Sequence, residues 1–165
     1  MSAAECELHS AVQVHALGAS LALALPLSGT RRRQALCIYL SGELGAGKTT
    51  LCRGFLQALG HHGAVRSPTY TLAECYELGP LCISHLDLYR LDDPGELEDL
   101  GVRDYFADCA ACLIEWPERA GSALPAPDLR LQLDYLEDNG RRCRIETALL
   151  NETQLQALVA GAAHP

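Results

Sequence analysis

A chain of 165 residues and 17.8 kDa, 48% hydrophobic and 21% charged, has the size and composition of one globular domain able to bury roughly two thirds of its unfolded surface. That composition excludes disorder, a collagen-like fibre and a minimal disulfide scaffold. A net charge of −8 and a pI near 5.1 exclude an unaided, non-specific grip on nucleic acid or on an anionic membrane.

The N-terminus carries Glu5 and Glu7 where a secretory leader needs a basic region. No apolar run approaches the roughly 18 residues of a membrane span. No membrane is expected, and the eight cysteines read as reduced thiols of a cytoplasmic protein.

Leu17, Leu21 and Leu25 recur at helical spacing, while Leu21, Leu23 and Leu25 would also suit a strand. The Ala/Leu composition favours a helix, stopped by Pro26 and Gly29. Residues 26–33 then form a polar loop in which Arg31–Arg33 is a solvated turn or a contact for nucleic acid or an acidic partner. Gln34–Leu40 is a strand leading into Gly42, and Lys48–Leu59 an amphipathic helix stopped by Gly60. Strand-like runs at 69–78 and 81–90, joined by Gly79-Pro80, make a hairpin. Asp93, Pro94 and Glu96 mark a helix start, with an N-cap, a proline at the first position and an acid at the third. Ala111–Glu115 is a short buried strand closed by Trp116-Pro117. Leu129, Leu131, Leu133 and Tyr135 alternate with polar residues, Asn139-Gly140 predicts a type I′ turn, and Cys143, Ile145 and Thr147 alternate on the return strand. Asn151 with Gln154 caps a last helix. This mixture of βα units and hairpins, undivided by any linker, predicts a single α/β domain over residues 1–165, with a mixed parallel/antiparallel central sheet flanked by helices.

Gly42-Glu43-Leu44-Gly45-Ala46-Gly47-Lys48-Thr49 satisfies G-x-x-x-x-G-K-[ST], placed between an apolar strand and a helix. Glycines let backbone N–H groups turn inward as a nest for phosphate, and the helix that follows presents its positive end to the anion. Lys48 would lie against the β- and γ-phosphates of ATP, and the Thr49 hydroxyl would ligate Mg²⁺. Twelve of the 13 basic residues are arginine, so Lys48 is the chain's sole lysine. Hydrolysis also needs carboxylates at the ends of buried strands. Glu115 and Asp87 occupy such positions; each alternatively caps a helix or, for Asp87, pairs with Arg90. His85 reads as a hydrogen-bonded strand histidine. Cys109 and Cys112 have the spacing of a metal or redox pair, but no second pair accompanies them, so they read as core packing.

Four blocks occur in order: the P-loop through Thr50, Ser67-Pro68-Thr69-Tyr70-Thr71-Leu72, His85-Leu86-Asp87-Leu88-Tyr89-Arg90-Leu91 and Glu115-Trp116-Pro117-Glu118. Together they resemble the bacterial TsaE (YjeE) family, the ATPases of tRNA threonylcarbamoyladenosine biosynthesis, over residues 14 to 136. Residues 1–13 and 137–165 match less well.

The resemblance implies a P-loop NTPase that is a weak ATP hydrolase alone. It implies that the chain works with TsaB and TsaD to install threonylcarbamoyl on the adenosine beside the anticodon of ANN-decoding tRNAs. TsaD performs the transfer in that family, and the ATPase is a reset or turnover factor meeting tRNA through the complex. By position, Glu43, Leu44, Gly45, Ala46, Gly47, Lys48, Thr49 and Thr50 would hold ATP. Thr49, Glu115 and Asp87 would hold Mg²⁺, and Asp87, Glu115 and Lys48 would serve catalysis. Thr69 would sit on a switch-like loop near the γ-phosphate, and Trp116 beside the nucleotide. Glu43 stands where the family usually has Asp, Leu86 where it has Phe, and Val14 where it has a Thr that touches nucleotide. The competing readings are a small P-loop kinase, which would want clustered lid arginines, and a nucleotide-gated binding module with negligible turnover. A basic patch at Arg141–Arg144 is a further candidate contact for tRNA.

Overall fold

The structure is a computed structural model and describes residues 1–27 and 34–165. Gly29 and Arg31–Arg33, to which the sequence assigned a helix stop and a basic turn, lie outside the described residues.

Seven strands form one sheet: β1 (Ser2–Leu8), β2 (Leu36–Gly42), β3 (Ala73–Leu78), β4 (Leu81–Asp87), β5 (Ala111–Glu115), β6 (Leu129–Tyr135) and β7 (Arg141–Thr147), in the spatial order β1-β7-β6-β2-β5-β4-β3. The four central strands β6, β2, β5 and β4 are mutually parallel. Strands β7, β1 and β3 are antiparallel additions at the two edges. The sheet is mixed, as the alternation of βα units and hairpins requires. Strands β2 and β5 read as continuous apolar runs because both of their faces are covered. Helices α1 (Ala11–Ala24), α2 (Lys48–Ala58) and α5 (Glu152–Ala163) pack one face, while α3 (Glu96–Asp99), α4 (Val102–Asp108) and a 3-10 segment, Pro117–Ala123, cover the other. Among the described residues no helix is long and apolar enough to cross a membrane.

Ser10 caps α1 by accepting the Gln13 N–H, and the backbone turns extended at Leu25 before Pro26. Helices α1 and α2 cross with almost no space between their backbones. A Cβ on Gly18 would lie 2.0 Å from the Leu51 carbonyl oxygen, and one on Gly54 would lie 2.0 Å from that of His15. Gly18→Val is therefore expected to destabilise the fold by about 1–3 kcal/mol or more, as overpacking does. A fall in the urea midpoint with an unchanged m-value would record it, and an unaltered midpoint would refute the contact.

Three readings of strands and turns need correction, and one strand lies where none was predicted. The N-terminal strand β1 was not anticipated, although Ala4, Cys6 and Leu8 alternate inward with exposed Glu5 and Glu7 outward. The first hairpin strand starts at Ala73 instead of 69, because Leu72 takes a left-handed φ of 61° that breaks the extended run. Its partner ends at Asp87 instead of 90, where the carboxylate folds back to accept the Tyr89 N–H. The β6–β7 turn is not type I′: Asn139 has φ 62°, whereas Gly140 has no positive φ. Leu136 N–H bonds to the Gly140 carbonyl, so the loop is longer and uses one left-handed residue.

Asp93 is not the N-cap of a helix: α3 starts at Glu96 with Gly95 as its N-cap and no side-chain cap bond, and the Asp93 N–H to Glu96 Oε1 and Gly95 N–H to Asp93 Oδ1 bonds shape the turn before it. The helix runs only four residues before Gly101, at φ 71°, redirects the chain into α4. Asn151 and Gln154 make the full capping box of α5.

Candidate functional site

The parallel strands end side by side, and their C-terminal ends carry the chemistry. In register, Asp87 of β4 is paired with Glu115 of β5, and Leu40 of β2 with Glu115. Both carboxylates therefore emerge on the same face, at the point where β2 runs into the P-loop. Gly47, with φ 109°, makes the left-handed step that starts α2 without a side-chain cap. The first N–H groups of α2 are thus left for an anion.

A cleft of about 420 Å³ opens there. Leu44, Gly45, Gly47, Lys48, Thr49, Thr50, Thr69, Asp87, Glu115 and Trp116 all border it. Glu43 and Ala46 do not; Ala46 is buried and borders a second cleft of about 300 Å³ between the P-loop and the start of α1. Gly45, Gly47 and Thr50 border both, so the clefts adjoin along the loop. Val14, which replaces a polar residue of the family pattern, and Arg141 line the second.

Lys48 is 4% exposed, and its ammonium donates to the carbonyls of Gly42 at 2.6 Å and Glu43 at 2.9 Å. It also lies 4.1 Å from the centre of the Trp116 ring. Burial lowers its pKa, opposed by the negative charges of Glu115, Asp87 and Glu118. Trp116 holds a left-handed backbone, φ 58°, and packs its ring 4.9 Å from that of Tyr89. That places Trp116 at the lysine end of the cleft.

Glu115, 3% exposed, accepts on Oε1 from the Thr49 hydroxyl at 2.8 Å and from His85 Nε2 at 2.8 Å. His85 is fully buried and its Nδ1 has no hydrogen-bond partner. With Nε2–H donating to the carboxylate, Nδ1 is left as a bare acceptor. Asp87, 5% exposed, accepts the Ser67 hydroxyl and the Tyr89 N–H. Ser67 in turn lies 3.0 Å from the Thr69 hydroxyl, tying the Ser-Pro-Thr segment to the carboxylate. No Asp87–Arg90 pair forms among the described residues; the Arg90 guanidinium lies over the Tyr70 ring at 4.7 Å.

Two buried carboxylates, Asp87 and Glu115, act on one buried ammonium. With the Thr49 hydroxyl they make a hard oxygen donor set, which fits Mg²⁺.

Sequence reasoning missed several contributors. Ser67, Tyr89 and Arg90 also line the cleft; the first sits two residues before Thr69, and the others directly follow Asp87. Tyr135 and Arg141 brace the P-loop from more than 90 residues away. The Tyr135 hydroxyl donates to the Leu44 carbonyl, and Arg141 donates to those of Ala46 and Gly45. No local signal announces such bonds. The Arg141–Arg144 patch is also not free basic surface: beyond Arg141, Arg142 pairs with Glu5 and Glu7, and Arg144 with Glu5.

A β-strand, glycine loop and helix with buried acids on neighbouring parallel strands define a P-loop NTPase fold. The crystal structure of YdiB from Bacillus subtilis has that fold, with a TM-score of 0.73 and 26% identity over 96% of this chain and 95% of its own. The family model for threonylcarbamoyl adenosine biosynthesis protein TsaE matches residues 8–143, and this chain belongs to that family. A relative in Haemophilus influenzae, named tRNA threonylcarbamoyladenosine biosynthesis protein TsaE, is 54% identical over 105 residues, covering 64% of this chain and 66% of its own. Its namesake in Bacillus subtilis is 41% identical over 104 residues, 63% of this chain and 65% of its own. The matches thus span just under two thirds of those relatives' length.

Proposed function

We propose that the chain is a single-domain, Mg²⁺-dependent ATP hydrolase of the cytoplasm, weak alone and stimulated by TsaB and TsaD. In this reading it serves threonylcarbamoylation of the adenosine beside the anticodon of ANN-decoding tRNAs, as a reset factor and not as the transferase. The observation that carries the reading is the Thr49–Glu115 hydrogen bond of 2.8 Å, with Asp87 at the adjacent register position and Lys48 buried beside both.

Lys48 and the N–H groups of P-loop residues that border the cleft, Gly45 and Gly47 to Thr50, bind and orient the phosphates. Thr49, Glu115 and Asp87 would hold the cation, which would supply electrostatic stabilisation to the transferring phosphoryl group. Asp87, fixed by Ser67 and the Tyr89 N–H, also orients the attacking water. Thr69 follows the γ-phosphate through Ser67, and Trp116 packs against the lysine. The second cleft, continuous with the first along Gly45–Gly47, receives the nucleoside.

A kinase would need clustered arginines to clamp a second anionic substrate, and among the described residues Arg90 alone lines the phosphate cleft. Contact with tRNA runs through the partners, because the chain carries −8 and Arg142 and Arg144 already face Glu5 and Glu7.

The test is ATP turnover with and without the TsaB–TsaD pair. Large stimulation is expected; equal rates would overturn the partner-dependent reading. A separate measurement addresses nucleotide binding. Because the chain has one lysine and it is 4% exposed, an amine-reactive label should modify the N-terminus quickly and Lys48 slowly, and Mg-ATP should suppress the slow reaction alone. Equal labelling with and without nucleotide would remove the P-loop assignment.

A further inference from the structure

A second cluster of ligating side chains lies at the other end of the strands from the nucleotide cleft. Cys75 is on β3, Cys82 near the start of β4, and Cys109 at the end of α4, just before β5. The three Sγ atoms all lie within 4.8 Å of one another, with Cys82 and Cys109 at 2.8 Å. The fold builds this convergence. Cys75 is paired with Ser84, so Cys82, two residues earlier on β4, projects from the same face as a diagonal neighbour. The Ala110 N–H bonds to the Cys82 carbonyl at 2.7 Å, drawing the α4–β5 connection against the start of β4. Cys109 is buried, Cys82 half-buried and Cys75 exposed, so the cluster is packed on one side and open to solvent on the other. Cys112 shares the face but turns its thiol to the Tyr105 carbonyl, 3.6 Å away, and stays outside the trio.

We propose that Cys75, Cys82 and Cys109 form a three-thiolate site for a thiophilic d¹⁰ cation of the zinc class, with a water completing the coordination on the Cys75 side. Sulfur ligands at about 2.3 Å from zinc stand roughly 3.8 Å apart around a tetrahedron. The trio reaches that spacing by opening the Cys82–Cys109 contact by about 1 Å and closing the other two by no more than about 1 Å. Soft thiolate donors select such ions over Mg²⁺ or Ca²⁺.

A redox switch fits the same thiols less well. A reactive cysteine needs a neighbouring cation that favours the thiolate. Here the groups acting on Cys75 and Cys109 are other thiols and Glu77, and burial pushes both thiols up. Before a metal enters, the thiols are protonated, and binding the cation displaces their protons. The bound ion ties the edge hairpin β3–β4 to the α4–β5 connection. Five residue steps along β4, about 16 Å of strand, separate Cys82 from Asp87, so the role is structural and independent of hydrolysis.

The experiment uses the full, reduced, metal-stripped chain titrated with Zn²⁺ against a chromophoric chelator, and with Cd²⁺ followed by its thiolate charge-transfer absorbance. A parallel Cys52→Ser variant keeps the other trio, Cys52, His85 and Glu115, from contributing. The expected result is one equivalent bound with proton release, a raised unfolding temperature, and a cadmium band of three-thiolate intensity. Affinity should fall at least tenfold in Cys75→Ser and Cys82→Ser and stay unchanged in Cys112→Ser. Cys75 is exposed, so its serine variant folds even if Cys109→Ser does not. Absence of binding, binding unaffected by Cys75→Ser, or binding removed by Cys52→Ser would each overturn the site. So would a Cys82–Cys109 disulfide formed under mild peroxide by a chain that shows no cadmium–thiolate band.

Discussion

Glu115→Gln is expected to lower Mg-ATP hydrolysis by two or more orders of magnitude while the fold survives. The substitution keeps the shape and removes the charge. Glu115 uses one oxygen, Oε1, to accept both Thr49 and His85, and glutamine retains an oxygen able to do the same. Lost is the negative charge beside Thr49 that, with Asp87, holds the cation. Lewis-acid stabilisation of a transferring phosphoryl group amounts to several kcal/mol, and each 1.36 kcal/mol is about tenfold in rate. Steady-state hydrolysis reads the first part; thermal unfolding without nucleotide reads the second. A sharp drop in unfolding temperature would make Glu115 a structural acid and end its catalytic assignment. Asp87→Asn is expected to follow the same pattern. Its amide oxygen can still accept the Tyr89 N–H, and its amino group can donate to a Ser67 hydroxyl that reverses its role.

Lys48→Ala is expected to weaken ATP binding by roughly ten- to a hundredfold. A hydrogen bond from a charged donor contributes about 1.5–3 kcal/mol, and 1.4 kcal/mol is tenfold in affinity. The ammonium is already desolvated and preorganised, held by the Gly42 and Glu43 carbonyls and the Trp116 face. Little further ordering is needed when it turns to phosphate. Calorimetric titration with a non-hydrolysable ATP analogue checks the value. Lys48→Met, which keeps the packing against Trp116, separates loss of charge from loss of contact. An affinity unchanged in both variants would mean that the nest of N–H groups binds phosphate without the lysine.

The two expectations differ in how visible their residues are along the chain. Lys48 and Thr49 belong to eight consecutive residues whose spacing alone states the chemistry. Glu115 and Asp87 are single acids at the ends of apolar runs, and their meaning depends on two strands being neighbours in register. Apolar runs of strand length indicate that an acid ends a buried strand, but not which strand lies beside it. His85 illustrates the same limit. Period-two alternation puts it on the face of Asp87, yet only the β4–β5 pairing brings its Nε2 to Glu115.

The sequence by itself determined the α/β class, the P-loop and its lysine, the Asn151–Gln154 capping box, and the family. Each is written in local spacing, where backbone geometry and short-range hydrogen bonds dictate the pattern. Tertiary structure alone decided the order of the seven strands, the addition of β1 at an edge, and the bracing of the loop by Tyr135 and Arg141. It also neutralised Arg142 and Arg144 against Glu5 and Glu7, and gathered Cys75, Cys82 and Cys109, which stand 7 and 27 residues apart in the chain. Those contacts join segments whose proximity is set by how a whole sheet buries its two faces, a global packing solution that no local pattern encodes.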